Sequence, residues 1–283
     1  MEWKGRQGSR NIEDRRGQPR ARGARAGGIG GVGAIAVVLI GWYFGVDLTP
    51  LLQGRGTMEI TTSGSVEITE ADRARGQFAA VTLHYTEEVW AQVFRDQVDG
   101  DYTPVTLVLF KGATDWACGE ASGPFYCPGD RKVYLDTDFI VTLDKRLGAG
   151  GDFAQAYVVA HEVAHHVQDR LGTLSEVNAE RARVPEQESN ALSVRIELQA
   201  DCYSGIWARM AEKKLGVVQA GDFEEAFNAA RQIGDDRLQR SAGQRPNPES
   251  FTHGTSEQRS RWFQTVYRTG KLLSCDMINA ARL

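Results

Sequence analysis

Several features are missing from this chain of 283 residues. It has no internal repeat, which removes architectures built by stacking one unit. It has no C-x-x-C pair, which removes the cysteine-rich zinc sites, and no cysteine precedes residue 118. There is no strong excess of charge of one sign, since 33 Lys and Arg stand against 37 Asp and Glu for a net of −4. The charge is uneven, however. Residues 1–26 hold eight basic and three acidic residues, and the remainder holds 25 and 34. An acidic bulk argues against nucleic acid as a partner. Only one long run lacks charge, the 21 residues from Ala26 to Val46, and about 20 apolar residues span a bilayer as a helix. Arginines before it and Asp47 after it predict a cytoplasmic N-terminus and an exported domain. The long basic region and the lack of an A-x-A-like site favour an uncleaved anchor over a signal peptide. The expected order is a basic cytoplasmic tail (1–26), a transmembrane helix (27–46), a juxtamembrane linker (47–75) and a catalytic domain (76–283).

What is present is a pair of histidines. His161-Glu162-Val163-Ala164-His165 is an H-E-x-x-H sequence in an apolar run. Asp152 and Gln155 open that run with capping-box spacing, and Gly172 closes it. Residues four apart share one face of a helix, so both imidazoles project toward one point, as a tetrahedral ion requires. Glu162 lies close to that face, where it can take a proton from a water that the ion polarises. Buried polar groups need partners, and a metal satisfies all three together. His166 points about 100° from His165, away from that point, and His84 has no evident partner. A second amphipathic run, from about 188 to 213, carries Glu197 and Asp201 on one face. Glu197 completes a His-His-Glu ligand set with one position left open. Asp201 is expected to accept the N–H of a ligand histidine and fix its tautomer. The expected cofactor is one Zn2+ per chain, and the expected chemistry is peptide hydrolysis with Glu162 as general base.

His161-Glu162-x-x-His165 followed by Glu197-x-x-x-Asp201 resembles the gluzincin group of zincin metallopeptidases. Over nearly its full length the chain is similar to the bacterial family described as putative neutral zinc metallopeptidases. Further matches are Trp3-Lys4-Gly5-Arg6, Asn11 to Gly17, Cys118-Gly119, Gly123-Pro124-Phe125-Tyr126-Cys127-Pro128, Val133 to Asp136 and His253-Gly254-Thr255. The resemblance implies an α+β, zincin-like domain, with a small mixed sheet packed on the motif helix and a helical C-terminal half. It implies that a sheet edge within Gly123 to Asp136 pairs with an extended substrate. It also implies that a His, Tyr or Arg stabilises the oxyanion of the reaction. His253 is the first candidate for that role and Tyr203 the next, while the plainer reading of His253 and Ser256 is a helix start. The implied partners are a peptide or protein substrate and the bacterial cytoplasmic membrane. The rival reading is a zinc-binding but inert envelope protein that recognises peptides or assembles partners. Glu162 argues against it, because a purely structural zinc site needs no base.

The four cysteines agree with export. They allow three connectivities. Cys118 and Cys127 enclose eight residues with two glycines and a proline, the natural local pair, which leaves Cys202 with Cys275. Each closure is expected to stabilise the fold by about 3–4 kcal/mol. The rest reads as a helix over about 86–98, a buried strand over 105–110, and a hairpin around Pro128-Gly129-Asp130. Further helices are expected over 223–233 and up to Tyr267. Residues 173–188 read as a flap or a surface connection.

Overall fold

Among the described residues, four short strands form one mixed sheet in the order β1-β2-β4-β3. The strands are β1 (Ile12–Asp14), β2 (Thr106–Phe110), β3 (Phe125–Cys127) and β4 (Lys132–Asp136). β2 and β4 run parallel, in register from Thr106 with Lys132 to Phe110 with Asp136. β3 returns antiparallel to β4 through the expected turn. Alternation decides the two faces. Leu107, Leu109, Val133 and Leu135 join the main core, whereas Val108, Phe110, Cys127 and Tyr134 form a small cluster on the other face. The computed structural model describes residues 1–17, 67–112, 114, 117–118, 123–280 and 283.

Eight α-helices surround this sheet among the described residues: α1 (Glu70–Val93), α2 (Thr137–Lys145), α3 (Asp152–Arg170), α4 (Thr173–Arg181), α5 (Glu186–Met210), α6 (Asp222–Gln232), α7 (Asp235–Ser241) and α8 (Ser256–Thr269). The class is α+β with a helical C-terminal half, as expected. α3, which carries the histidine motif, is buried on nearly every side, with Ala156, Tyr157, Val163 and Val167 fully enclosed. Such a helix contributes few solvated positions, so most of its polar residues are held by specific partners. The segment expected as a flap or connection is largely the regular helix α4.

Several expectations need correction. Residues 1–17 do not stand apart as a tail. Their strand β1 pairs in parallel with β2 from Ile12 with Leu107 to Asp14 with Leu109. Trp3 Nε1 donates to Asp152 on α3 at 2.8 Å, and its ring meets Phe78 edge-on. The domain also begins before residue 76. Thr69 caps α1 in a capping box with Asp72, whose carboxylate is bonded in turn by Arg75 and Lys111. The expected span at 27–46 and most of the linker lie outside the described residues. Among the described residues, no helix is long and apolar enough to cross a membrane.

The start of α3 differs too. Asp152 is not the cap; Gly151 occupies that position at φ 110°. The Phe153 N–H, left without an acceptor inside its helix, is satisfied by Glu225 Oε2 of α6 at 2.9 Å. The φ at Gly151 is one that L side chains rarely adopt, and a Cβ there would also displace the Glu225 carboxylate, so the position favours glycine. Both disulfides form as expected, Cys118 with Cys127 and Cys202 with Cys275.

Candidate metal centre

α3 and α5 lie side by side and place their polar residues at one focus. His161 and His165, one turn apart on α3, present rings 4.9 Å apart at 88°. Glu197 of α5 faces both: its Oε2 is 3.1 Å from His161 Nε2, and its Oε1 is 3.6 Å from His165 Nε2. One ligand atom from each of the three residues lies within 4.8 Å of the other two. Two nitrogens and one carboxylate oxygen are a donor set that suits zinc. The electrostatics point the same way. Burial resists a charged His161, yet Asp201 and Glu197 outweigh it and push the pKa up to about 9. Two buried carboxylates thus demand a positive charge between them, which a metal ion or a proton provides. Glu197 itself is held well below the usual carboxylate range, because the charges of His165, His253 and His161 overcome the cost of its burial.

Each histidine is braced from behind. His161 Nδ1 lies 3.0 Å from Asp201 Oδ1, although off the axis of a linear hydrogen bond. Asp201 is fully buried and receives Arg259 of α8 through two nitrogens, Nε at 2.8 Å and Nη2 at 3.0 Å. The Tyr157 hydroxyl also donates to Asp201 and accepts from Arg259. α8 comes close enough for this because Gly205 of α5 has no side chain; a Cβ there would sit 2.3 Å from the Phe263 carbonyl oxygen. His165 Nδ1 donates to Gln168 Oε1 at 2.9 Å, which leaves its Nε2 lone pair facing Glu197. Gln168 Nε2 donates to the Ile196 carbonyl and to Gln199 Oε1, and Gln199 Nε2 donates to the Cys275 carbonyl.

The focus opens into a cleft of about 580 Å³ whose walls include β3, α4, α5 and the loop carrying His253. Glu162 lies in it with no hydrogen-bond partner among the described residues, and burial pushes its carboxyl pKa up. His253 reaches the same cleft. Burial opposes its protonation, but Glu197 and Asp235 raise its pKa. Its backbone N–H donates to Asp235 Oδ2 at 2.7 Å, as do those of Thr252 and Gly254, so one carboxylate shapes the whole loop.

The structure therefore gathers His161, Glu162, His165, Glu197, Asp201 and His253, all expected from the sequence. Tyr203 is not among them; it is buried against Trp90. Thr255, rather than His253 or Ser256, caps α8. His166 points away, bonding the Thr103 carbonyl at 2.8 Å, and His84 lies near Glu87 and Glu88. Arg259, Tyr157, Gln168 and Gln199 went unread. Gln168, three residues after His165, shares its helix face and was open to the same spacing argument. Nothing local marks Arg259, which lies 58 positions from Asp201.

The chain is 43% identical to the uncharacterized protein YpfJ of Escherichia coli strain K12 over 98% of each chain. It is 44% identical to the uncharacterized protein Rv2575 of Mycobacterium tuberculosis over 64% of this chain and 65% of that one. No solved structure matches it. The family described as "Putative neutral zinc metallopeptidase" matches residues 1–278, a span that includes every member of the metal centre and the docked N-terminal strand. This chain belongs to that family.

Proposed function

We propose that this protein is a zinc-dependent peptidase that cleaves peptide bonds in the cleft beside His161 and His165. The observation that carries the proposal is the convergence of His161, His165 and Glu197 next to Glu162, a buried acid with no hydrogen-bond partner among the described residues. When bound, zinc supplies Lewis acidity toward water and a peptide carbonyl. His161, His165 and Glu197 would hold it. Glu162, whose carboxyl pKa burial raises, takes the proton of the attacking water and returns it to the leaving amine. His253, braced by Asp235, donates to the oxyanion that develops on the substrate carbonyl. β3, the sheet edge on the cleft, pairs with the extended substrate. Asp201 keeps His161 oriented. The two disulfides support an oxidising compartment. The run at 27–46 supports attachment to a membrane, with residues 1–17 on the same side as the domain.

Metal analysis and a diverse peptide library, with and without chelator, test this. The purified protein should hold about one zinc per chain, and His161→Ala or Glu197→Ala should lose most of it. Glu162→Gln should keep zinc and lose hydrolysis by roughly 10²- to 10⁴-fold. Full zinc in Glu197→Ala would overturn the ligand set. The absence of any chelator-sensitive cleavage would overturn the peptidase.

A further inference from the structure

One wall of the cleft is made by α4 and α5. Leu174, Asn178 and Arg181 are spaced four and three apart on α4 and line the cleft from one helix face. Ser193, Ile196 and the ligand Glu197 line it from α5. Arg181 ends this row, and its surroundings are unusual for a guanidinium. It is half-buried. Its Nη1 donates to Asn178 Oδ1 at 3.0 Å, and its Nε reaches Ser189 Oγ at 3.4 Å. Both partners are neutral. Nη2 has no partner, and no carboxylate pairs with the side chain, among the described residues.

The other basic side chains of the cleft are committed. Arg259 is held by Asp201, His253 by Asp235, and His161 and His165 face Glu197. Arg181 feels the charge of Glu197, but burial outweighs this and lowers the guanidinium below its ordinary value. A partly desolvated cation with only neutral partners is under-compensated. Its planar fork matches one ligand chemistry best, a carboxylate taken by two parallel N–H donors. Much of the remaining lining is apolar, as with Phe139, Leu147 and Leu238, which suits uncharged side chains of a peptide.

We propose that Arg181 reads a carboxylate on the substrate, so that peptides bound here carry an acidic side chain or a free C-terminal carboxylate near the α4 wall. This rests on the reading of the cleft as a peptide site. Arg181 is then a specificity-determining residue, separate from the groups that bind metal and move protons.

The test uses matched peptides: one set with a free C-terminal carboxylate or its amide, another with Glu or Gln at each position beside the cleaved bond. Binding is measured to the zinc-loaded Glu162→Gln protein, alone and with Arg181→Gln or Arg181→Lys added. Cleavage is measured in the otherwise native chain. The expected result is at least a tenfold preference for one acidic form, collapsing to about one in Arg181→Gln and only partly kept in Arg181→Lys. Which set shows it tells a terminal carboxylate from a side chain. Peptides bound without acid preference, or with a preference that survives Arg181→Gln, would overturn the proposal while leaving the peptidase intact. An Arg181-dependent preference in binding, with no peptide ever cut, would sink the peptidase and leave the carboxylate site standing. Binding of no peptide at all would overturn both. Unchanged zinc content and unfolding midpoint in the Arg181 variants separate a lost contact from a damaged fold.

Discussion

The two imidazoles of the candidate metal centre sit one helical turn apart and are braced in opposite ways. Behind His161 stands an ionic assembly in which Asp201, Arg259 and Tyr157 bond one another with essentially no access to water. Behind His165 stands a chain of neutral amides, Gln168 and Gln199, ending on the Cys275 carbonyl. The charged side belongs to α8, and the neutral side belongs to the C-terminal segment that the Cys202–Cys275 disulfide fastens to α5. Charge in a low-dielectric interior is strong while balanced and costly once one partner is gone. Amides lose only hydrogen bonds, so a covalent tether behind them matters more. One centre thus rests on two kinds of support, and the two should fail differently.

Asp201→Ala should break the charged side most severely. It strands a buried guanidinium, which costs about 3–5 kcal/mol, and it should weaken zinc binding by about 10- to 100-fold. Replacing Asp201 and Arg259 together by apolar residues should restore much of the stability but not the zinc affinity. The metal-free protein adds a pH signature. Burial would raise the Asp201 pKa, but Arg259 and His161 hold it below its ordinary value. Its contribution is therefore complete above the unfolded carboxylate pKa of about 3.9 and is lost as pH falls through the folded value. Denaturant unfolding followed from about pH 5 downward, below the unfolded value of about 3.9, should show this loss in the native chain and not in the Asp201 variant. A cost below about 1 kcal/mol for Asp201→Ala would erase the contrast.

Next in size is the tether. Cys202→Ala with Cys275→Ala should cost about 3–4 kcal/mol and speed zinc release, because the amide chain loses its fixed end. Stability lost with unchanged zinc retention would show that the tether supports the fold and not His165. The smallest effect is expected from Gln168→Leu. It leaves Gln199 Oε1 without its donor and takes the second donor from the Ile196 carbonyl, a cost of about 1–3 kcal/mol, and frees the His165 ring, for about a tenfold loss in zinc affinity. A pH dependence as steep as that of the charged side would contradict the neutral character of this brace.

What the sequence disclosed follows the same division. His161, His165, Glu197 and Asp201 were legible because helical spacing of four puts each pair on one face, and metal chemistry then selects the residue types. The hairpin and the strand at 106–110 were legible from turn residues and β-branched runs. Arg259 was not, because its partner lies on another helix and no local pattern encodes that meeting. The cap of α3 was misread for a similar reason: Glu225 arrives from α6 and displaces the role that spacing gave to Asp152. Strand β1 is three residues long and pairs with a strand 95 positions away, so only the assembled fold reveals it.

That strand has a topological consequence. The described residues break off at Gly17 and begin again at Glu67, and a Cβ on Gly17 would lie 3.8 Å from the Ile68 side chain. Both ends of the intervening stretch therefore meet at one place on the surface. A path that starts and finishes on one side of a bilayer crosses it an even number of times or not at all. A single crossing by residues 27–46 would pull β1 out of the sheet and leave β2 with an open edge, a template for unwanted pairing. Any translocation of this protein is thus bound to its own sheet: the strand and the domain it completes must end in the same compartment.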